Sequence, residues 1–568
     1  MKNNKTKLKI IISILTIVII CFVAIYFLGN NQNGNSDYTE IDTTSTKLDV
    51  QYDNQELTGE WLEYVAKITL DDSKVTIEGN GVTNNENAIT IKSAGTYYIT
   101  GNLTDGNILI DANKNDDVQL VLDNCSIKSS NTAPINGIVS KDELKIINSN
   151  IEINSEDDGI RGKDYVAINK ANIKVDSKGD GIKSTNDLDT ALGYVEIEEA
   201  TIVVDAEADG IQAETILNIS SNSKIDITTS GEIVSSNKDM EFGGPVGSME
   251  GGFRKGFGGF AGELPKQKQN TTSSNLENSQ SSKGLKAGTE ITIESGNIEI
   301  NSTDDSIHSN GIIVINDGEI KTSSEDDGIH ADTNIAINGG NIEISKSYEG
   351  IESSYVEINA GMILITSSDD SINIAGGNDS SAMGDRMGQN NFSMVGDSNQ
   401  KLIINGGCIT ANAAGDGLDS NGAIYINGGS VVVVGPTSSG NGALDYTTEC
   451  VITGGNVIIY GSTGMWQNPS SNSTQYCLTF GTSGSSGDEV VLKDSNGNEI
   501  VSFETYKSYG TVAISNAKIE KGETYTLYIN GTSTGSLTAS STVTSNVSAN
   551  GMGGGMQEGM QPEGKGKR

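Results

Sequence analysis

Between Lys283 and Asn373 short runs of alternating apolar and polar residues recur about every 22 residues. Lys283, Asp305, Asp327, Glu349 and Asp370, each just before a Gly or Ser, are spaced 22, 22, 22 and 21 apart. A second column, Gly296, Gly318, Gly340 and Gly361, is spaced 22, 22 and 21 apart. Runs such as N-I-E-I-N-S have period two, the mark of a half-buried strand, and no 3.6-residue period competes with it. A fixed period of this length built from strands predicts a parallel β-solenoid, one turn per repeat.

The same phase extends beyond that stretch. Asn136-Gly137-Ile138, Asp158-Gly159-Ile160 and Asp180-Gly181-Ile182 are 22 apart. Asp209-Gly210-Ile211 follows after 29, so an insertion of seven residues is expected within Asp187–Gly193. Residues 239–282 lose the pattern and carry G-G-F-R-K-G-F-G-G-F, which predicts a long disordered loop, and 376–399 predict a second. Asp416-Gly417-Leu418, with Gly407, Gly429 and Gly455, continues the repeat. Upstream, K-V-T-I-E-G, A-I-T-I, T-Y-Y-I-T-G-N-L, N-I-L-I-D-A and V-Q-L-V-L-D-N-C-S-I read as strands, with Trp61 and Leu62 expected to cap the open end. Over 485–535 the repeat gives way to V-V-L-K-D, I-V-S-F-E, G-T-V-A-I-S and T-Y-T-L-Y-I, expected antiparallel strands of a small β cap or sandwich.

The expected organisation is an N-terminal signal or anchor (1–28), a polar linker (29–60), the solenoid (61–484), the cap (485–539) and a Gly/Met/Gln-rich disordered tail (540–568). Lys2, Lys5, Lys7 and Lys9 precede the apolar run Ile10–Leu28. No small-x-small cleavage site follows it, which favours an uncleaved membrane anchor with everything after Gly29 outside the cell. Cys21 invites a lipoprotein reading, but Ile20 stands where a small residue is needed.

Composition narrows the partners. The 568 residues hold 69 Gly and 6 Pro, and the net charge is −38, which excludes nucleic-acid binding through a basic surface. An anionic partner would need bridging cations. Cys21, Cys125, Cys408, Cys450 and Cys477 show no C-x-x-C spacing and read as mostly buried small residues.

Three columns divide the work of the repeat. Ile160, Ile182, Ile211, Leu285, Ile307, Ile329, Ile351, Ile372 and Leu418 are expected to stack inward. Asp158, Asp180, Asp209, Asp305, Asp327, Glu349, Asp370 and Asp416 form an acidic column, preceded in four turns by Asp157, Asp304, Asp326 and Asp369. Turns lie roughly 4.8 Å apart, and two carboxylates at that spacing repel by about 3–4 kcal/mol at an effective dielectric near 20. Doubled acids on consecutive turns favour neutralisation by Ca²⁺, a hard cation that takes oxygen ligands in flexible geometry, over a splayed, solvated column. One residue past the inward ladder runs a mixed polar column, Arg161, Lys183, Gln212, Lys286, His308, His330, Glu352, Asn373 and Asp419, expected to face solvent. Such a row suits an extended polymer. Arg161, Lys183, Gln212, His308 and His330 are the candidate carbohydrate contacts, and the two histidines read as a stacked surface pair rather than a transition-metal pair.

The segment A-G-T-Y-Y-I-T-G-N-L-T-D-G-N-I-L-I-D-A (94–112), the turns D-D-G-I-R and G-D-G-I-K, and K-G-L-K-A with D-D-S-I-H-S-N-G (283–311) resemble a family of bacterial surface proteins, the carbohydrate-binding parallel β-helix family, similar in shape to pectate lyases. The resemblance covers about residues 60–535 and implies a right-handed parallel β-helix, calcium sites and affinity for acidic plant-wall polysaccharide such as polygalacturonate, and for cellulose. Carried onto this chain, the calcium ligands fall among Asp157, Asp158, Asp180, Asp209, Asp304, Asp305, Asp326, Asp327, Asp369, Asp370 and Asp416. The insertions and the tail depart from the family pattern.

Two other readings compete with non-catalytic binding. A polysaccharide lyase needs Ca²⁺ to acidify the proton beside a uronate carboxylate and a Lys or Arg base near it, and Lys183 with Asp180, Asp158 and Arg161 is the best local constellation. A purely structural adhesin or stalk would retain no glycan.

Overall fold

The computed structural model describes residues 46, 48, 50, 63–113, 116, 118–128, 138–140, 143–220, 222–231, 281–375 and 399–547. All regular structure there is β-strand. The apolar run Ile10–Leu28, Trp61, Leu62 and the two expected loops, save their edges, lie outside the described residues. None of the described residues forms a helix long and apolar enough to cross a membrane.

Nearly every strand of the repeat pairs in parallel with the strand one repeat on, in three ladders. Asn297–Ser302 lies between Lys224–Thr229 and Glu319–Ser324, and Ile298 faces Ile225 and Ile320. Short strands such as Ile307–Ser309 form the second ladder, with Ile307 between Leu285 and Ile329. Strands such as Ile312–Ile315 form the third. The 22-residue period is thus the length of chain that returns a residue to its own column. The seven-residue insertion is real: Ile160 faces Ile182, but Tyr165 faces Tyr194.

Period-two alternation decides which side is buried. In Asn297–Ser302 the side chains of Ile298, Ile300 and Ser302 are buried, and their neighbours are exposed. The inward column from Ile160 to Leu418 is fully buried at all nine positions. Each such isoleucine contributes roughly 1.5–3 kcal/mol by leaving water.

The glycine corners have the backbone conformation that side chains resist: φ is +137° at Gly296, +126° at Gly318, +88° at Gly340 and +100° at Gly361. A Cβ on Gly340 would sit 2.9 Å from the Gly318 carbonyl oxygen, because corner stacks on corner. The asparagines beside these corners form an amide ladder: Asn338 Nδ2 donates to Asn316 Oδ1 (2.8 Å), Asn359 to Asn338 (2.9 Å), Asn405 to Asn359 (2.8 Å) and Asn427 to Asn405 (2.9 Å).

Antiparallel pairs close both ends of the described stack. At the first, Ala66–Leu70 pairs antiparallel with Thr76–Gly79, and Val82–Asn85 with Ala88–Ile91. At the second, Tyr509–Ser515 pairs antiparallel with both Asn456–Gly461 and Cys477–Gly484. Cys477–Gly484 therefore already departs from the parallel pattern, although the repeat was expected to run to 484. Glu489–Lys493, Glu499–Glu504, Thr524–Ile529 and Thr532–Thr538 form a separate antiparallel sheet over a second core that includes Tyr460, Phe480, Leu492 and Leu527. Val543–Ser545, inside the stretch expected to be a disordered tail, pairs with Cys477–Thr479. Low complexity hid three residues of good β-formers. Cys125, Cys450 and Cys477 are buried, and the Cys125 thiol donates to the Ile99 carbonyl at 3.3 Å.

Candidate functional site

The D-G-I turn places an acid at the start of each short strand. Gly159 and Ile160 donate their amides to the carbonyls of Asp180 and Gly181, both at 2.9 Å. The turn is so tight that a Cβ on Gly159 would fall 2.3 Å from Val175 Cγ1. With the backbone held there, each acid lies under its counterpart.

That stacking gives the acids a structural task. Asp158 Oδ1 accepts the Asp180 amide (3.1 Å), Asp180 Oδ1 that of Asp209 (2.9 Å), and Asp209 Oδ1 that of Lys283 (2.8 Å). Asp305 Oδ1 accepts the Asp327 amide (3.0 Å), Asp327 Oδ1 that of Glu349 (3.1 Å), and Asp370 Oδ1 that of Asp416 (2.5 Å). From Asp158 to Asp370 the column is buried, not a solvated row, because its first oxygen points along the stack; Asp416 is half-buried.

The second oxygen meets the polar column, in which residues 161, 183, 212, 286, 308, 330, 352, 373 and 419 stand in direct register. Arg161 pairs with Asp158 (2.9 Å), Lys183 with Asp180, and Lys286 with Asp209 (2.9 Å). Lys283, which occupies an acidic-column position, holds Asp304 (2.9 Å) and Asp305 (2.6 Å). His308 Nδ1 lies 2.8 Å from Asp305. Burial opposes the charge on Asp305, but Lys283 and His308 hold its carboxyl well below the usual carboxylate range. Burial would lower Lys183, yet the Asp180 carboxylate keeps it raised, so it stays protonated.

The expectation that this column faces solvent fails at its centre. His308 is 3 % exposed, His330 1 % and Asn373 7 %. The rings of His308 and His330 are stacked, 5.0 Å apart at 18°, but inside the protein rather than on its surface. The two imidazoles bend back onto the acid three residues earlier, while Asn373 reaches Glu349 on the preceding turn. Of the candidate carbohydrate contacts, Arg161, Lys183 and Gln212 remain partly exposed.

From Asp370 onward the cations run out. Asp419 and Asp445 take the places that Arg161 and Lys183 hold earlier. Asp370, Asp416 and Asp419 bring their oxygens within 4.8 Å of one another. Burial, then the nearby Asp419, Asp369 and Asp416, push Asp370 up to about 8. Burial and Asp445 push Asp419 up to about 7, and burial pushes Asp416 up to about 6. Gly415 makes room here, since its Cβ would lie 2.3 Å from Asp369 Oδ1 and 2.4 Å from Asp370 Oδ1. Asn373, beside Asp419 in the ladder, donates to Glu349 (2.7 Å), while its buried Oδ1 has no hydrogen-bond partner. Asp304, Asp305 and Asp326 form a second oxygen set, already served by Lys283. Asp157 is half-buried beside Asp158 and joins none of the close sets found among the described residues.

The sequence model of a family described as "carbohydrate-binding domain-containing protein" matches residues 85–136, 135–328 and 311–385, more than half of the chain. The chain belongs to this carbohydrate-binding family. No curated protein matches it. Among solved structures, the polysaccharide lyase-like protein from C. thermocellum, a gadolinium derivative, is similar at 14% identity, covering 68% of this chain and 96% of that chain, with a TM-score of 0.20. That score is too low to equate the two folds.

Within the family-matched region an open groove of about 460 Å³ crosses the outer face of the first ladder, lined by Asn102, Ser126, Glu152, Asn172, Lys174 and Thr201 among others. The third ladder stacks a buried Tyr165 on a half-buried Tyr194, 4.7 Å apart at 8°. Sequence reasoning passed over both. The tyrosines share a phase only once the seven-residue insertion is removed, which was the available signal.

Proposed function

We propose that this chain binds acidic cell-wall polysaccharide, polygalacturonate or pectin and also cellulose, without catalysis and with Ca²⁺, at the bacterial surface. The observation that carries the reading is membership of a carbohydrate-binding family across residues 85–385. On this reading the parallel ladders wind as a right-handed β-helix, the C-terminal antiparallel strands cap it, and the run Ile10–Leu28 anchors it with the repeat outside the cell.

The residues present fit calcium best at Asp370, Asp416 and Asp419, with Asn373 the ladder neighbour of Asp419. All donors are oxygens, and none of the three carboxyls is ion-paired to a cationic side chain among the described residues. A bound Ca²⁺ would supply positive charge to carboxyls whose ionisation burial and their acidic neighbours oppose. It also gives a −38 chain a means of meeting an anionic polymer.

Lyase chemistry finds less support. Lys183 is ion-paired to Asp180 and kept protonated, the opposite of a base. Calorimetry of the full chain with polygalacturonate, in calcium and then in EDTA, tests the reading. Binding that is present in calcium and lost in EDTA supports it, and absence of binding in both overturns it.

A further inference from the structure

The geometry points to a site for a divalent transition ion of the zinc class, held by Asp327, His330 and Glu352 and oriented by Asp332. It is separate from the all-oxygen set around Asp370, and its ligand chemistry differs.

His330 is the centre. Its Nδ1 lies 3.3 Å from Asp327 Oδ2 and 3.2 Å from Glu352 Oε2. One ring nitrogen carries at most one hydrogen, so without an ion it reaches both carboxylates only as a long, shared three-centre bond. A tetrahedral ion with bonds of about 2.0–2.1 Å separates its ligand atoms by about 3.3–3.4 Å. The two observed edges therefore match a shared ion. Asp327 offers its Oδ2 at the ring nitrogen, because its Oδ1 is engaged by the Glu349 amide.

The other ring nitrogen supplies the independent observation. His330 is 1 % exposed, and its Nε2 is buried without a hydrogen-bond partner, 3.5 Å from Asp332 Oδ1. With a metal on Nδ1 the proton must sit on Nε2 and face that carboxylate. This carboxylate–histidine–metal arrangement orients metal-bound histidines generally.

Charge argues the same way. Asp305, Asp327, Glu349 and Glu352 approach this point from three consecutive turns. Lys283, a cation in this stretch, is engaged one turn away by Asp304 and Asp305. A dication neutralises what a single imidazolium leaves over. Mixed nitrogen and oxygen ligands favour zinc-class ions over calcium. Glu352 and Asp332 are partly exposed, which gives the ion an entry path.

The test is titration of the metal-stripped full chain with zinc chloride by calorimetry, in excess Ca²⁺, with cobalt chloride as a coloured substitute. The expected result is one zinc per chain and visible cobalt bands of a tetrahedral site. His330→Ala abolishes both, Asp332→Asn weakens zinc about 10–100-fold, and Asp370→Asn leaves both unchanged. Should His330→Ala misfold, Asp332→Asn and Glu352→Gln decide. Absence of zinc binding in the wild type, or unchanged affinity in the variants that fold, overturns the site.

Discussion

Asp158 accepts, through Oδ1, the backbone amide of Asp180 at 3.1 Å, so the acid of one turn fastens the acid of the next. The same contact recurs along the column. A row of carboxylates is thereby part of the stack's hydrogen bonding, not only a row of charges. Asp158→Ala should leave the Asp180 amide buried without an acceptor and cost about 1–3 kcal/mol. Asp158→Asn, which keeps an acceptor oxygen, should cost less. Thermal unfolding of the two variants measures the difference.

The corner glycines make a sharper demand. Gly340→Ala adds a Cβ 2.9 Å from the Gly318 oxygen at a φ of +88°. The expected loss is about 1–3 kcal/mol, read as a lowered denaturation midpoint, with no effect on the neighbouring exposed strand positions.

Glu196 predicts a pH dependence away from the acidic column. Burial, helped by Glu198, pushes its carboxyl up from 4.5 to about 7. Its Oε2 and the Oδ1 of its ladder partner Asn218 are both buried without partners. The folded state therefore holds a proton that the unfolded state releases near 4.5. Stability should fall as pH rises from that value to about 7 and level off above. Glu196→Gln should flatten this slope in melts across the range. Water screens part of the effect at this half-buried site.

Calcium should raise the melting temperature. An ion present at 100 times its dissociation constant stabilises by about 2.7 kcal/mol. Asp370→Asn should reduce that shift while making the calcium-free chain no less stable, since the amide keeps an acceptor oxygen for the Asp416 amide and carries no charge to bury. An equal shift in wild type and variant would move the ion elsewhere.

Much of the fold was legible because two columns, isoleucine and glycine, carry it. Ile307 and Gly318 show their roles through spacing alone, and the insertion after Lys183 appears as a change from 22 to 29. The site was legible in position but not in environment. His308 and His330 sit where the period places them, but their burial depends on how each side chain bends back onto Asp305 or Asp327. Spacing does not encode that bend. Nor did it reveal that Asp158 points along the stack, or that the cations end before Asp370, although Asp419 in the polar column was a sign of it.

The most direct test of the central claim is affinity electrophoresis of the full chain in polygalacturonate gels. In calcium the chain should be retarded, and EDTA or the combined Asp370→Asn and Asp419→Asn change should release it, with no unsaturated product formed. Migration unaffected by polygalacturonate in calcium would contradict the account.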